Sequence, residues 1–330
     1  MATYKGIQGY SVQKLSSDPT ASEAEGQLWY NSTSGKFKVG TAGAGTWASG
    51  GSVNVARRSG AYIGTQTAAV ITGGIGSPNS PDPASCIDTE TYDGTTWTEA
   101  ANSNTGVFFS AGAGTQTAGI KVAGTNTSHV NHDSCETWNG SAWTETTALT
   151  SVRSKHSSAQ SGTATATLVF GGTTGPTTPI DLTELFNGST WTELNNLNTA
   201  RKQGYGAGIS TAALNIAGGP PTSDKTESWD GTCWTEVNPV NTARENPGAA
   251  GSQTAAVLFA GSATYAITES WDGTSWTEVA DLSTGRQSVG GAGTSSNGLC
   301  ISGYNGAPNN VAGCEEWTDP VYTNKTVTVS

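Results

Sequence analysis

Charge, histidine, methionine and long apolar runs are all scarce in this chain of 330 residues. Only 12% of the residues are charged, three are His and one is Met. No stretch nears the ~18 consecutive apolar residues that a membrane-crossing helix needs. Residues 1–26 lack the apolar centre of a secretory leader. Basic residues are outnumbered, with a net charge of −11 and an isoelectric point near 4.6. That balance argues against nucleic acid and anionic membranes as partners. The five cysteines (Cys86, Cys135, Cys233, Cys300, Cys314) form no CxxC pair. They read as free, inert thiols, not as a disulfide framework or a zinc site.

What is present is tryptophan, glycine and repetition. The chain holds 11 Trp and 44 Gly. An apolar fraction of 34% is low enough to suggest disorder, but regularly spaced aromatics oppose that reading. The unit is clearest at Trp271-Asp272-Gly273-Thr274-Ser275-Trp276. It recurs at Trp229/Trp234, Phe186/Trp191, Trp138/Trp143 and Tyr92/Trp97, each time around Asp-Gly or Asn-Gly. Such a dipeptide between β-prone runs predicts a tight hairpin, because glycine tolerates the positive φ the turn requires. A two-residue loop at 139–140 would set Trp138 opposite Ser141 and Trp143 opposite Glu136, with the two rings as diagonal neighbours on one face. A lone hairpin is marginal in water, so the aromatic faces are expected to pack against the next copy.

Two further elements share the period. Six apolar runs close on Gly74, Gly124, Gly172, Gly218, Gly261 and Gly303, at spacings of 50, 48, 46, 43 and 42 residues. Arg57, Arg153, Arg201, Arg244 and Arg286 each follow a hairpin Trp by ten residues (Trp47, Trp143, Trp191, Trp234, Trp276), whereas position 107 is Val. A unit of 40 to 50 residues with four short strands predicts an all-β chain, a six-bladed β-propeller. Strand a follows the Arg, strand b is the Gly-ended run, strand c carries the first aromatic and strand d the second. The sixth unit has Trp317 but no second Trp. Trp47, an orphan with the correct step to Arg57, is therefore expected to supply strand d of the last blade, with Tyr322 as the rival. The expected organisation is an N-terminal arm with a hairpin at 1–46, the propeller at 47–320 and a C-terminal strand or tail at 321–330.

The Arg, the apolar run into Gly-Gly (Gly73-Gly74, Gly171-Gly172) and the spaced aromatic pair resemble the kelch repeat over about residues 47–317. The resemblance implies a propeller of four-stranded blades. The aromatic pair is closer together than in the usual kelch repeat.

Enzymatic constellations are sparse. His129, His132 and Asp133 lie in one b–c loop, where a metal would need a third ligand that is not evident and a solvated polar loop is the plainer reading. His156, on strand a, reads as hydrogen-bonded within the repeat. The five arginines either ring the channel mouth as an anion site or pair with blade carbonyls and repeated glutamates such as Glu227 and Glu269. The aromatics (Trp97, Trp138, Trp143, Trp191, Trp229, Trp234, Trp271, Trp276, Trp317, Trp47) read as inter-blade packing, not sugar platforms. No cofactor and no catalytic or metal-binding residue is expected.

Loop length is the functional signal. From the closing Gly to the second Trp takes 23, 19, 19, 16 and 15 residues, and the c–d turns are uniformly tight. The variation therefore falls in the b–c loops, and variable loops on a rigid scaffold are where binding resides. The candidate contacts are Asn79, Asp82, Asn126, His129, His132, Asp133 and Thr177. Gly26-Gln-Leu-Trp-Tyr-Asn-Ser-Thr-Ser-Gly-Lys-Phe-Lys-Val, followed by Gly-Thr-Trp47, resembles a segment common in bacteriophage tail-fibre and other virion proteins. That resemblance implies a non-enzymatic virion protein, a tail fibre or spike made in the host cytoplasm. Its partners would be other virion proteins and host-surface glycan or protein, not nucleic acid or a membrane interior, in a homo-oligomer or in many copies. A capsid-decoration or neck protein, a generic kelch-like interaction module and a propeller carbohydrate enzyme are the alternatives.

Overall fold

A computed structural model of the chain describes residues 12–19, 26–42, 45–76, 86–175, 177–306, 310–319 and 322–327. The chain divides into two compact units, Met1–Gly45 with Asp319–Ser330, and Thr46–Thr318.

The larger unit is a β-propeller. Its described residues form six four-stranded antiparallel sheets in sequence order, with no α-helix. Blade one comprises Ala61–Thr65 (strand a), Ala68–Thr72 (b), Thr89–Tyr92 (c) and Trp97–Ala100 (d). Blades two to five repeat the order a-b-c-d over 111–146, 157–194, 205–237 and 248–279. Blade six has Gly290–Gly293, Asn297–Ile301 and Glu315–Thr318, and its outer strand is Thr46–Ser49, with Trp47 opposite Trp317. Tyr322 lies elsewhere, in Tyr322–Thr326 of the smaller unit.

Strands a of successive blades lie side by side, and that of blade six lies beside that of blade one. This crowding selects their composition, for example Gly290-Gly-Ala-Gly. A Cβ on Gly206 would lie 1.9 Å from the carbonyl oxygen of Ser158 in the preceding blade. Strands b are predominantly apolar because sheet packs on both of their faces. Ile120 and Val122 of blade two, for instance, share a buried cluster with Val169, Phe186 and Trp191 of blade three.

The hairpin register differs from the two-residue expectation. Trp138 pairs directly with Trp143, and Glu136 with Glu145. The connection is Asn139–Ala142, because Asn139 Oδ1 accepts the N–H groups of Ser141 and Ala142 at 2.9 Å and Asn139 N–H donates to the Ala142 carbonyl. An Asx side chain closes a wider loop than the glycine alone implies. The rings are thus direct cross-strand neighbours, with centroids 5.2 Å apart, and the pairs Trp229/Trp234 and Trp271/Trp276 repeat this at 5.3 and 5.2 Å.

The smaller unit is one sheet. Leu28–Asn31 and Lys36–Ala42 form the expected hairpin, flanked by Gln13–Leu15 in parallel and Tyr322–Thr326 antiparallel. The expected boundaries shift accordingly: Thr46 belongs to the propeller, and the C-terminal segment is an edge strand of the arm's sheet, not a separate tail. Asp18 organises the unit, accepting from Trp29 Nε1 (3.0 Å), Asn31 Nδ2 (2.6 Å) and Lys38 Nζ (2.8 Å).

Candidate functional site

The repeated arginines do not line the channel mouth. Each is buried and paired with a buried glutamate on strand c of its own blade: Arg57 with Glu90, Arg153 with Glu184, Arg201 with Glu227 (2.9 Å), Arg244 with Glu269 and Arg286 with Glu315. Each guanidinium also donates to the backbone carbonyl two residues before that glutamate, as from Arg57 to Asp88 (2.7 Å) and from Arg201 to Lys225 (2.7 Å). The other carboxylate oxygen accepts a backbone N–H three residues before the Arg position, from Asn54, Asn104, Thr150, Asn198, Asn241 or Ser283, at 2.6–2.9 Å. A buried ion pair needs this full complement of partners to offset desolvation.

Blade two lacks the arginine yet keeps the carboxylate. Lys121 on strand b, directly opposite Glu136, supplies the cation at 2.8 Å, and both side chains are fully buried. The equivalent strand b positions are Ile71, Val169, Asn215, Leu258 and Cys300. Burial pushes the Lys121 ammonium down, and Glu136 opposes this. Burial pushes Glu136 up, but Lys121 and the Asn104 and Thr105 amides outweigh it and hold the carboxyl below its ordinary range.

Two cyclic sets of hydrogen bonds join the blades at the same end. The N–H of each closing glycine donates to the carbonyl at the next blade's Arg position: Gly74 to Val107, Gly124 to Arg153, Gly172 to Arg201, Gly218 to Arg244, Gly261 to Arg286 and Gly303 to Arg57, at 2.8–3.1 Å. These glycines have φ between 98° and 125°, so the residue type is required. Two residues after each Arg position, Ser59, Phe109, Lys155, Gln203, Asn246 and Ser288 all take a left-handed conformation, with φ of 54–58°. Their backbones close a ring, each N–H donating to the carbonyl of the preceding blade: Phe109 to Ser59 (2.6 Å), Lys155 to Phe109 (2.9 Å), Gln203 to Lys155 (2.8 Å), Asn246 to Gln203 (2.7 Å), Ser288 to Asn246 (2.9 Å) and Ser59 to Ser288 (3.1 Å). Six non-glycine residues held at positive φ cost of order 1 kcal/mol each, and the ring holds them there.

This ring rims a cavity of about 80 Å³ at the axis. Ser110, His156, Ser158, Tyr62 and Tyr205 are among the residues lining it. Side chains bridge the axis here. Gln160 Nε2 of blade three donates to the carbonyls of Tyr62 (3.1 Å) and Gly291, and Tyr205 Oη of blade four accepts from Gly291 N–H at 2.7 Å. His156 is 6% exposed, and neither of its ring nitrogens has a hydrogen-bond partner among the described residues, contrary to the expectation of bonding within the repeat. Burial drives the imidazole down to about 3, Arg153 adds to this, and the Val122 backbone, out of hydrogen-bonding geometry, offsets it only in part. The ring is neutral at physiological pH. The hydroxyls of Ser59 and Ser110 are buried and unpartnered too. Ser59, Ser110, Gln160 and Tyr205 carry no motif or shared residue type that marks them in the sequence. The position two residues after each Arg would have marked the rim.

The expected b–c loop contacts are distributed differently. Asn79 and Asp82 lie outside the described residues. Asn126 and His132 are joined, Nδ2 to Nε2 at 3.0 Å, and Asn126 Oδ1 caps the N–H groups of Ser128 and Val130. His129 is exposed, at φ 61°, edge-on to Phe108. Asp133 carries its loop through its carbonyl, which accepts from Leu149 N–H. Thr177 is exposed, and its carbonyl accepts from Lys202 Nζ at 2.8 Å. Among the described residues no group of three His, Cys, Asp or Glu is placed to hold a metal.

The aromatics are inter-blade joints. Trp143, Trp234 and Trp47 donate through Nε1 to strand c threonines of the preceding blade, Thr89 (3.1 Å), Thr183 (3.0 Å) and Thr268 (3.0 Å). The equivalent pair, Trp276 Nε1 and Thr226 Oγ1, is unpartnered. Trp191, whose counterpart is Cys135, donates to the Thr147 carbonyl, and Trp97 to that of Gly51. Trp138, Trp229, Trp271 and Trp317 donate to a–b turn carbonyls of their own blades, those of Gln116, Ser210, Gln253 and Ser295. Four of the cysteines are buried; Cys233 is exposed, and Asp230 raises its thiol pKa.

No family model matches the chain, and no curated protein matches it. Among solved structures it is similar to that of YjhT, a β-propeller, with a TM-score of 0.68 at 12% identity over 83% of this chain and 99% of that one. At that identity the likeness concerns the fold alone.

Proposed function

We propose that this chain is a non-enzymatic structural protein of a bacteriophage virion, a tail fibre or spike whose smaller unit docks on the particle. Its b–c loops then contact host-surface glycan or protein. The observation that carries the reading is topological. The propeller begins at Thr46 and ends at Thr318, and the chain segments on either side of it pair in one small sheet, Lys36–Ala42 with Tyr322–Thr326. That suits display of a rigid head. Support also comes from the scaffold itself. All six buried glutamates are committed to cations within their own blades, which leaves the b–c loops free to vary in length. The N-terminal resemblance to tail-fibre segments supplies the virion context.

Immunogold labelling with an antibody raised against the full chain tests the assignment on particles from a lysate that contains it. Gold at the tail tip or fibres supports the proposal, and gold over the capsid assigns a decoration role instead. Chain found only in the soluble lysate overturns both.

A further inference from the structure

We infer that the cavity at the six-residue rim is a binding site for a small oxyanion, a phosphate or a short carboxylate. Three observations combine. First, three of the residues lining the cavity are nine-tenths or more buried and carry unpartnered polar atoms: both nitrogens of His156 and the hydroxyls of Ser59 and Ser110. Buried polar groups are ordinarily satisfied, and three converging on one cavity mark a place built for polar contacts. Second, the lining contains a lysine and no carboxylate, in a chain of net charge −11. Lys155 sits on the rim, half-buried, with Nζ 4.9 Å from the centre of the Phe109 ring and no ion pair among the described residues. Third, burial lowers its ammonium pKa, Lys202 nearby lowers it further and Glu245 opposes. An anion beside Lys155 relieves the cost of burying its ammonium.

The donors fit the chemistry. The rim amides are consumed by the backbone ring and take no part. Two hydroxyls, one imidazole N–H and one ammonium remain, enough for an oxyanion with three or four contacts. His156 is neutral and offers one N–H without needing to ionise. A cavity needs roughly 10–15 Å³ to hold one water, so a cavity of about 80 Å³ has room for a small oxyanion. The second recess, at the a–b turns around Ile209 and Gln253, is larger, about 390 Å³, but no charged side chain lines it.

Calorimetric titration of the full chain with inorganic phosphate, with acetate and lactate, and with glycerol as the neutral control tests the site. Saturable one-to-one binding of phosphate, of the carboxylates or of both is expected, with none for glycerol. Phosphate alone assigns a tetrahedral ligand, and the carboxylates alone assign an organic acid. Lys155→Met should weaken binding tenfold or more. His156→Phe, which fills the cavity, should abolish it. Should His156→Phe fail to fold, Ser110→Ala with circular dichroism as the control takes its place and should weaken binding severalfold. Lys225→Met, on the exposed Lys225–Glu236 pair, should leave binding unchanged. No saturable binding of any anion, equal binding of glycerol, or anion binding indifferent to Lys155→Met overturns the inference. The titration needs no particle, so its outcome is independent of where the chain resides in a virion.

Discussion

Replacing Lys121 by Met isolates the one blade in which the buried cation has moved. Glu136 is fully buried and would keep the Asn104 and Thr105 amides, at 2.7 and 2.9 Å, but lose its only counter-charge. Leaving a buried charge unpaired costs about 3–5 kcal/mol. Removing both charges, in Lys121→Met with Glu136→Gln, should cost no more than about 1–2 kcal/mol, because the amide oxygen still accepts the backbone donors. Val107→Arg alone puts a second cation beside one carboxylate and should destabilise. Combined with Lys121→Ile it recreates the layout of the other five blades and should recover most of the loss. Urea denaturation followed by tryptophan fluorescence reads these differences as shifts in midpoint at constant slope. A cost below about 1 kcal/mol for Lys121→Met, or a Val107→Arg/Lys121→Ile protein no more stable than the sum of its single variants, would refute the reasoning.

The inter-blade tryptophan bonds make a paired prediction. Thr183→Val strands the Trp234 indole N–H and should cost about 1–3 kcal/mol, whereas Thr226→Val, at a site where the bond is not made, should be close to neutral in the same denaturation assay. In the smaller unit, Lys38, Asn31 and Trp29 hold the Asp18 carboxyl at about 2, below its unfolded value of 3.8. A depressed carboxyl contributes stability that is complete above the unfolded value and is lost as pH falls towards the folded one. The Trp29 indole N–H resonance should therefore shift between about pH 4 and pH 2, and Asp18→Asn should abolish that transition.

The architecture was readable because propeller geometry writes itself into the chain as a period. The closing glycines and the arginines recur because one donates to the other's backbone in the next blade, and each choice is dictated by conformation or by a buried carboxylate. Strand d of the last blade was readable from Trp47 for the same reason, since the ten-residue step to Arg57 survives the break in the repeat. The hairpin register was not, because the Asx cap widens the loop and Asp-Gly alone does not reveal it. The strand Gln13–Leu15 is too short to show a period. The axial cavity was hidden for a different reason. Its residues, among them Ser59, Ser110, His156 and Tyr205, differ in type from blade to blade, and only the fold brings them together. Lys121 reads as a polar interruption of an apolar strand until it is set opposite Glu136.

Competition for adsorption tests the central claim, that the b–c face of this propeller is its working surface on a virion. Purified full chain, added in excess to host cells before phage, should reduce adsorption. An Asn126→Ala/His129→Ala/Thr177→Ala variant should compete less well, and a variant altered at the exposed c–d turns, Asn187→Ala with Asp272→Ala, should compete like the parent. Equal competition by the two variants, or loss confined to the c–d variant while both remain folded, would contradict it.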